Sequence, residues 1–191
     1  MKNPLFAQRH IILVLLLFVG VAKMDAQMLS IRNNVLYDIA MTPNIGLEMV
    51  VGERKTIAAN IMGNYKPWGK DIKMIFVQPE FRYYFSGRPM FKHFIGIGGI
   101  AGNYDIHWKG KVYNGVAIGG GITFGYVYKL NKRLNLDLHA GFGAILFKQK
   151  EYFEGDDYDN DYSTNGIART NATGYSLLPT NIGMSLTYIL K

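Results

Sequence analysis

The chain has 191 residues, enough for one domain, with 49% apolar and 18% charged residues and many Gly, Tyr and Phe. The absence of Cys excludes disulfides, thiolate metal sites, Cys nucleophiles and an acyl anchor on a processed Cys. The formal net charge is +7, but the basic residues form neither a run nor a helical stripe, so we expect no nucleic-acid partner.

The first 26 residues have the pattern of a secretory signal peptide. Lys2 and Arg9 precede the continuous apolar run "IILVLLLFVGVA", and the small residue Ala26 offers a cleavage site. The apolar run is too short to span a bilayer, which takes about 20 residues, although an uncleaved membrane anchor is the alternative. The predicted organisation is a signal peptide over 1–26 and a mature domain over 27–191.

Alternating apolar and polar residues run through the rest of the chain. A period of two is typical of strands, which place successive side chains on opposite faces. No window after the signal peptide has a convincing helical period. The eight predicted strands cover residues 29–41, 44–51, 56–65, 74–85, 93–102, 116–128, 134–147 and 177–191.

The links between these strands alternate in length. Short links join strands two and three, four and five, and six and seven, and most of the other links are longer. The short link between the first two strands is the exception. An even strand number with this pattern is typical of outer-membrane barrels. The sequence therefore predicts an all-β fold: an eight-stranded antiparallel up-and-down transmembrane β-barrel, with loops facing the cell exterior and both termini in the periplasm.

A water-soluble barrel would show the same alternation, with its apolar face inside. The lysines favour the transmembrane alternative, because all 12 that follow the signal peptide fall in links or at predicted strand ends. The polar faces carry mostly Gly, Asn, Ser and Thr, which suit a narrow interior better than a sheet surface facing water. An eight-stranded barrel has room only for side chains inside, so we expect no open pore.

The charged residues on the polar faces are predicted to fill this lumen. Burying charges is costly unless they are paired and hydrogen-bonded, so we expect a structural polar network without a catalytic role. Its carboxylates outnumber its arginines, which predicts protonated groups or water. Pro79 has no N–H for strand pairing, and we expect a bulge or an open ladder there. The predicted network consists of Arg32, Asp38, Glu48, Gln78, Glu80, Arg82, Asp137 and His139.

Aromatic residues near the strand ends and in the longer links are expected to lie at the membrane interfaces. In membrane proteins such rings concentrate at the level of the lipid headgroups. The predicted interface aromatics are Trp68, Trp108, Tyr83, Phe85 and Tyr188.

The segment 157–168 begins like a calcium-binding loop, with Asp157, Asp159 and Asp161 at alternate positions. The sixth position is Tyr162 rather than Gly, and the twelfth is not Glu, so we expect no specific metal site there. The alternative is a solvated acidic loop that divalent ions bridge to lipopolysaccharide. No cofactor is predicted.

Four segments carry a resemblance to a known family. They are "NNVLYDIAMTPNIGLE" (33–48), "NYKPW" (64–68), "VQPEFRYYF" (77–85) and "PTNIGMSLTYIL" (179–190). Together they resemble the small outer-membrane proteins of domain-of-unknown-function family 3575, which is found mostly in Bacteroidetes. That family is uncharacterised, so the resemblance implies an outer-membrane location but no activity, cofactor or catalytic residue. Some members are encoded near fimbrial genes, which implies a cell-surface assembly context.

The sequence leaves two classes of function open. The first is a non-enzymatic structural, anchoring or surface-interaction protein, whose partners are outer-membrane lipid, lipopolysaccharide and a surface protein or filament. The alternative is a lipid A-modifying enzyme or a small-ligand-binding barrel that uses His139. Such an enzyme needs a nucleophile and a base near the outer rim, whereas His139 is predicted mid-strand and inward. We therefore expect the first class, without enzymatic activity.

Overall fold

The computed structural model describes residues 28–155 and 171–190. The predicted signal peptide and the aspartates Asp157, Asp159 and Asp161 lie outside the described residues. The strands are β1 (Leu29–Asn34), β2 (Asn44–Gly52), β3 (Lys55–Tyr65), β4 (Ile72–Tyr84), β5 (Lys92–Trp108), β6 (Lys111–Lys129), β7 (Leu134–Phe153) and β8 (Asn171–Ile189). A short helix, α1, spans Val35–Ile39, and a 3-10 turn spans Pro67–Gly69.

Each strand pairs antiparallel with the next strand of the chain, and β1 also pairs with β8. The eight strands therefore form an up-and-down sheet that closes in a ring, which confirms the predicted all-β antiparallel arrangement. We call the end of the ring where β1 begins and β8 ends the lower end, and the opposite end the upper end. Within the described ranges, no helix is long and apolar enough to cross a membrane.

The prediction of a first strand over 29–41 is correct only as far as Asn34, and a short helix follows. β1 ends at Asn34, whose side-chain oxygen accepts a hydrogen bond from the Leu36 N–H at 3.2 Å and caps α1. Asn is one of the preferred residues at this capping position. Asp38 consequently lies exposed on α1, where it accepts a hydrogen bond from the Asn44 side chain at 3.0 Å. Its predicted place inside the ring is therefore wrong.

The strands on one side of the ring are longer than predicted. β5 and β6 continue to a turn at Lys109 and Gly110, where the sequence predicted a long loop. Both turn residues have positive φ, 52° and 76°, as in the type I′ turn that suits the twist of a hairpin. β7 runs on to Phe153, so Lys148 and Lys150 lie on a strand and not in a loop. The sheet of β5–β8 therefore extends beyond β1–β3 at the upper end.

Pro79 lies on β4, between β3 and β5. It pairs with Ala59 of β3. The ladder with β5 is interrupted at Gln78 and Pro79 and resumes in the same register at Glu80. The predicted open ladder is confirmed, and its cause is the missing N–H of proline.

Successive side chains point to opposite faces of the closed sheet. On β7, Asp137 and His139 are buried, whereas Leu138 and Phe142 are 38% and 60% exposed. Buried charged residues contact strands that are not their neighbours, which is possible only across the middle of the ring. Polar side chains therefore face the interior, and large hydrophobic side chains face outward.

Apolar side chains close the interior at the lower end. Tyr84, Phe94 and Val127 form a buried cluster. Met90, from the connection between β4 and β5, is 4% exposed. The Asn135 side chain donates a hydrogen bond to the Met90 carbonyl at 3.2 Å and holds this connection under the ring.

Candidate functional site

A cluster of charged side chains fills the middle of the ring. Arg82 of β4 is fully buried. Its guanidinium lies 2.7 Å from Glu80, 3.5 Å from Glu48 of β2, and in direct contact with Asp137 of β7. Neither β2 nor β7 is a neighbour of β4, so two of these ion pairs cross the interior. Arg82 therefore joins three separate parts of the sheet.

Arg32 of β1 contributes a second guanidinium to the cluster. Its Nη1 lies 3.6 Å from Glu48 and 3.7 Å from Glu80, and its Nη2 lies 3.4 Å from Asp137. The side chains of all these residues are at most 7% exposed. Removing one member of a buried ion pair leaves an uncompensated charge, so the arginines and carboxylates stabilise one another as a set.

His139 lies beside this set. Its Nδ1 is 3.0 Å from Oδ1 of Asp137, and its Nε2 is 3.1 Å from Oδ1 of Asn181. Both ring nitrogens thus face a side-chain oxygen, and these two contacts fix the orientation of the ring.

Two hydroxyl groups orient the Glu48 carboxylate. Thr56 and Tyr84 donate hydrogen bonds to Oε1 of Glu48 at 2.6 Å and 2.8 Å. The ring of Phe94 covers the Arg82 guanidinium, whose Cζ lies 4.2 Å from the ring centroid. Sequence reasoning did not include Thr56 or Tyr84 in the network. The available signal was a hydroxyl on the polar face of each strand.

Amide groups and helix α1 cover the cluster toward the upper end. The Gln78 side chain donates a hydrogen bond to the Thr180 carbonyl at 3.0 Å, across the ring from β4 to β8. Tyr37 of α1 bonds to the Gln78 side chain and to the Ile182 backbone. Burial of the Tyr37 phenol raises its pKa above the ordinary value, although these hydrogen bonds oppose the shift. Helix α1 therefore extends the polar packing to the upper end of the interior.

The space that remains beside His139 is very small. A cavity of about 10 Å³ lies between Glu80, His139 and Ser185, among other polar residues. This is room for roughly one water molecule, whereas ligand pockets measure about 300–1,000 Å³. Within the part of the chain that the structure describes, no group of three His, Asp or Glu residues is placed to hold a metal ion.

Glycines on the inner face leave the space that the cluster occupies. A Cβ added at Gly183 would lie 2.4 Å from Nε2 of His139, and one added at Gly96 would lie 2.9 Å from Oε1 of Glu80. Distances this short are below any ordinary van der Waals contact. The charged side chains can therefore contact one another only because glycines on the inner face leave them room.

The structure brings most of the predicted network residues together. Asp38 alone lies elsewhere, exposed on α1. The predicted residues buried inside the ring are Arg32, Glu48, Gln78, Glu80, Arg82, Asp137 and His139.

The predicted interface aromatics form two groups, one at each end of the ring. Trp68 and Trp108 lie at the upper end and are 69% and 47% exposed. Trp108 is at an even position of β5, like the inward residues Phe94 and Gly96, so it does not belong to the outward apolar surface. Tyr83, Phe85 and Tyr188 lie near the lower end, where the first two rings meet edge to face at 5.6 Å.

These features define a class: an all-β protein whose eight antiparallel strands close around a buried ion-pair network and carry large hydrophobic residues outward. The chain belongs to the family described as "Protein of unknown function (DUF3575)", whose model matches residues 11–190. The family resemblance of the sequence motifs is thereby confirmed. No curated protein and no solved structure matches the chain.

Proposed function

We propose that the protein is a small outer-membrane β-barrel with a non-enzymatic structural, anchoring or surface-interaction role. The apolar outer surface carries this proposal. Ile97, Ile122 and Phe142, on three different strands, are 69%, 48% and 60% exposed. Soluble monomers rarely expose contiguous apolar patches beyond a few hundred Å², so a surface of this extent favours contact with lipid.

The height of the apolar surface supports the same proposal. On β7, outward apolar residues continue from Leu134 to Leu146, and Lys148 follows on the same face. Twelve residue steps of about 3.4 Å, on strands tilted by about 40°, rise roughly 31 Å. The hydrocarbon core of a bilayer is about 30 Å thick.

The connections between strands support an orientation. The lower connections comprise residues 53–54, 85–91 and 130–133. The upper connections comprise residues 35–43, 66–71 and 154–170, with 109–110 as a short exception. In bacterial barrels the longer connections face the cell exterior. We therefore propose that the upper end is extracellular and that both termini are periplasmic.

The surroundings of His139 argue against the alternative, a lipid A-modifying enzyme or a small-ligand binder. Both ring nitrogens of His139 face oxygens of neighbouring side chains, and the adjoining cavity is of water size. Lipid in the outer leaflet would have no path to this group. Modification of lipid A in vesicles, lost on His139→Ala, would establish the enzyme instead.

The filled interior also argues against an open pore. Charged residues occupy the middle of the ring, and the cluster of Tyr84, Phe94 and Val127 closes the lower end. We expect no stable single-channel conductance in a planar bilayer. A reproducible open-channel current from the purified protein would contradict this part of the proposal.

Extraction and gel mobility test the proposed location. The protein should require detergent for extraction, and the folded form should migrate faster than the heated form. Protease added to intact cells should cut in the upper connections and leave the lower ones intact. A monomer that stays dissolved without detergent would overturn the proposal.

The proposed surface role concerns the connection between β7 and β8, most of which lies outside the described residues. If the protein takes part in surface assembly, it should co-purify with a surface filament. Replacing 156–170 by a short Gly-Ser linker should abolish co-purification and keep the heat-dependent mobility. A correctly inserted linker variant that still retains the filament would contradict this role.

A further inference from the structure

An open groove of about 600 Å³ crosses the outside of β4, β5, β6 and β7 at the upper limit of the apolar surface. Its walls are two rows of paired residues on neighbouring strands. The upper wall consists of Lys73, Asp105, Asn114 and Lys150. The lower wall consists of Ile75, Asn103, Val116 and Lys148.

The wall side chains face outward. Val116 lies two residues from Ile118 on β6, and Lys148 lies two residues from Leu146 on β7. Ile118 and Leu146 belong to the apolar surface and are 62% and 57% exposed. Side chains two residues apart on a strand share a face, so the groove opens toward the surroundings of the ring and not toward its interior.

Two side chains of the lower wall are apolar. Ile75 and Val116 are 52% and 51% exposed, and they continue the apolar surface without a break. If this surface lies in lipid, an acyl chain can follow it up to the groove. The groove therefore begins where the hydrocarbon region would end.

The two walls of the groove together are cationic. Lys73 and Lys150 of the upper wall and Lys148 of the lower wall contribute three ammonium groups. The carboxylates beside them are that of Asp105 in the upper wall and that of Asp71, whose Oδ1 lies 3.9 Å from Nζ of Lys73. Nε2 of His107 lies 3.5 Å from the Asp105 carboxylate. Lysines hold their charge at the end of a flexible apolar stem, so the stems can cover the wall while the charges meet an anion. The asparagines between the lysines offer further N–H donors.

We propose that this groove binds a phosphorylated lipid of the outer leaflet, with its phosphate at the lysines and its acyl chain along Ile75 and Val116. The inference rests on the proposed membrane location. Charge complementarity and continuity with the apolar surface together favour this occupant. A soluble anion would use the lysines only, and a zwitterionic lipid would use the apolar wall without the charge.

Binding of lipid A to the full-length protein in non-ionic detergent tests the proposal, with native mass spectrometry as the readout. The probes are diphosphorylated lipid A and its enzymatically dephosphorylated form. The groove variant is Lys73→Gln with Lys148→Gln. The matched control is Lys129→Gln with Lys132→Gln at the lower end, which removes the same charge. Heat-dependent gel mobility verifies that each variant is folded.

The groove variant should bind diphosphorylated lipid A about 25-fold more weakly, since each lysine near a lipid surface is worth roughly 5-fold in affinity. The control should change by less than about 2-fold. Equal losses in both variants would overturn the proposal, and so would equal binding of the dephosphorylated lipid. Competition by millimolar inorganic phosphate alone would assign the site to a soluble anion instead.

The same protein samples separate this inference from the proposed function. Wild-type protein that needs no detergent would defeat the membrane location and the lipid site together. Wild-type protein that is detergent-dependent and heat-modifiable, yet shows no preference for the phosphorylated lipid, would defeat the lipid site alone.

Discussion

Replacing Arg82 by Met removes the guanidinium on which the interior network depends. Arg82 contacts Glu48, Glu80 and Asp137, and it is fully buried. Met keeps much of the apolar volume of the side chain but none of its donors. In the variant, Arg32 is the remaining arginine of the cluster against three buried carboxylates.

The cost follows from the geometry of these contacts. Breaking a buried ion pair by removing one partner costs about 3–5 kcal/mol, because a charge is left uncompensated. Arg82 compensates more than one carboxylate, so we expect a loss at the upper part of this range. Adding Glu80→Gln to Arg82→Met restores the excess of one carboxylate found in the wild type. The double variant should therefore recover at least about 1 kcal/mol relative to the single variant.

The assay is urea unfolding of the protein refolded in detergent micelles, followed by the difference in gel mobility between folded and unfolded forms. Arg88→Met is the matched control, because Arg88 is exposed in the connection between β4 and β5. Its effect should stay within about 0.5 kcal/mol. If Arg82→Met lowered the free energy of unfolding no more than Arg88→Met does, the proposed role of Arg82 in the interior would be refuted. A double variant less stable than Arg82→Met alone would refute it too.

Further predictions concern packing and the outer surface. Gly183→Ala places a Cβ against His139 and should lower the free energy of unfolding by about 1–3 kcal/mol. The control Gly52→Ala adds a Cβ that meets only ordinary van der Waals contacts. Equal unfolding curves for the two variants would contradict this prediction. In lipid vesicles, Phe142→Arg near mid-height should cost about 2–4 kcal/mol and Leu134→Arg, on the same face at the lower end of β7, about 0–1, a difference that urea titration measures. Trp fluorescence should be quenched more by lipids brominated near the headgroup than by lipids brominated at the chain end, because both tryptophans lie at the upper end. Stronger quenching by the chain-end bromines would contradict this position of the tryptophans.

The alternation of side chains was sufficient to predict the closed sheet and most of the interior network. Within a strand, polar residues such as Glu80 and Arg82 stand two positions apart, so they share one face whatever the register of strand pairing. The same alternation places Glu48 of β2 on the polar face of its own strand. The contacts could not be predicted, because they depend on which strands lie opposite each other across the ring. The pairing of Arg82 with Asp137 is of this kind.

Two local errors have a physical cause. Over 35–39 the apolar residues fit a strand period as well as a single helical turn, and the cap formed by Asn34 decides for the helix. Around Lys109 and Gly110 the strands continue where apolar alternation has ended, so the sequence pattern predicted a loop there. The dipeptide Lys-Gly, able to adopt two positive φ angles, was the signal for the turn.

The environment of Ile122 on the outward face tests the central claim most directly. The chain has no Cys, so Ile122→Cys and Lys109→Cys each provide a single site for a nitroxide label on protein reconstituted in lipid vesicles. The account predicts that the label at Ile122 collides readily with oxygen and rarely with a water-soluble nickel chelate, whereas the label at Lys109 shows the opposite. A label at Ile122 as accessible to the nickel chelate as the label at Lys109 would contradict the lipid-facing orientation of the apolar surface.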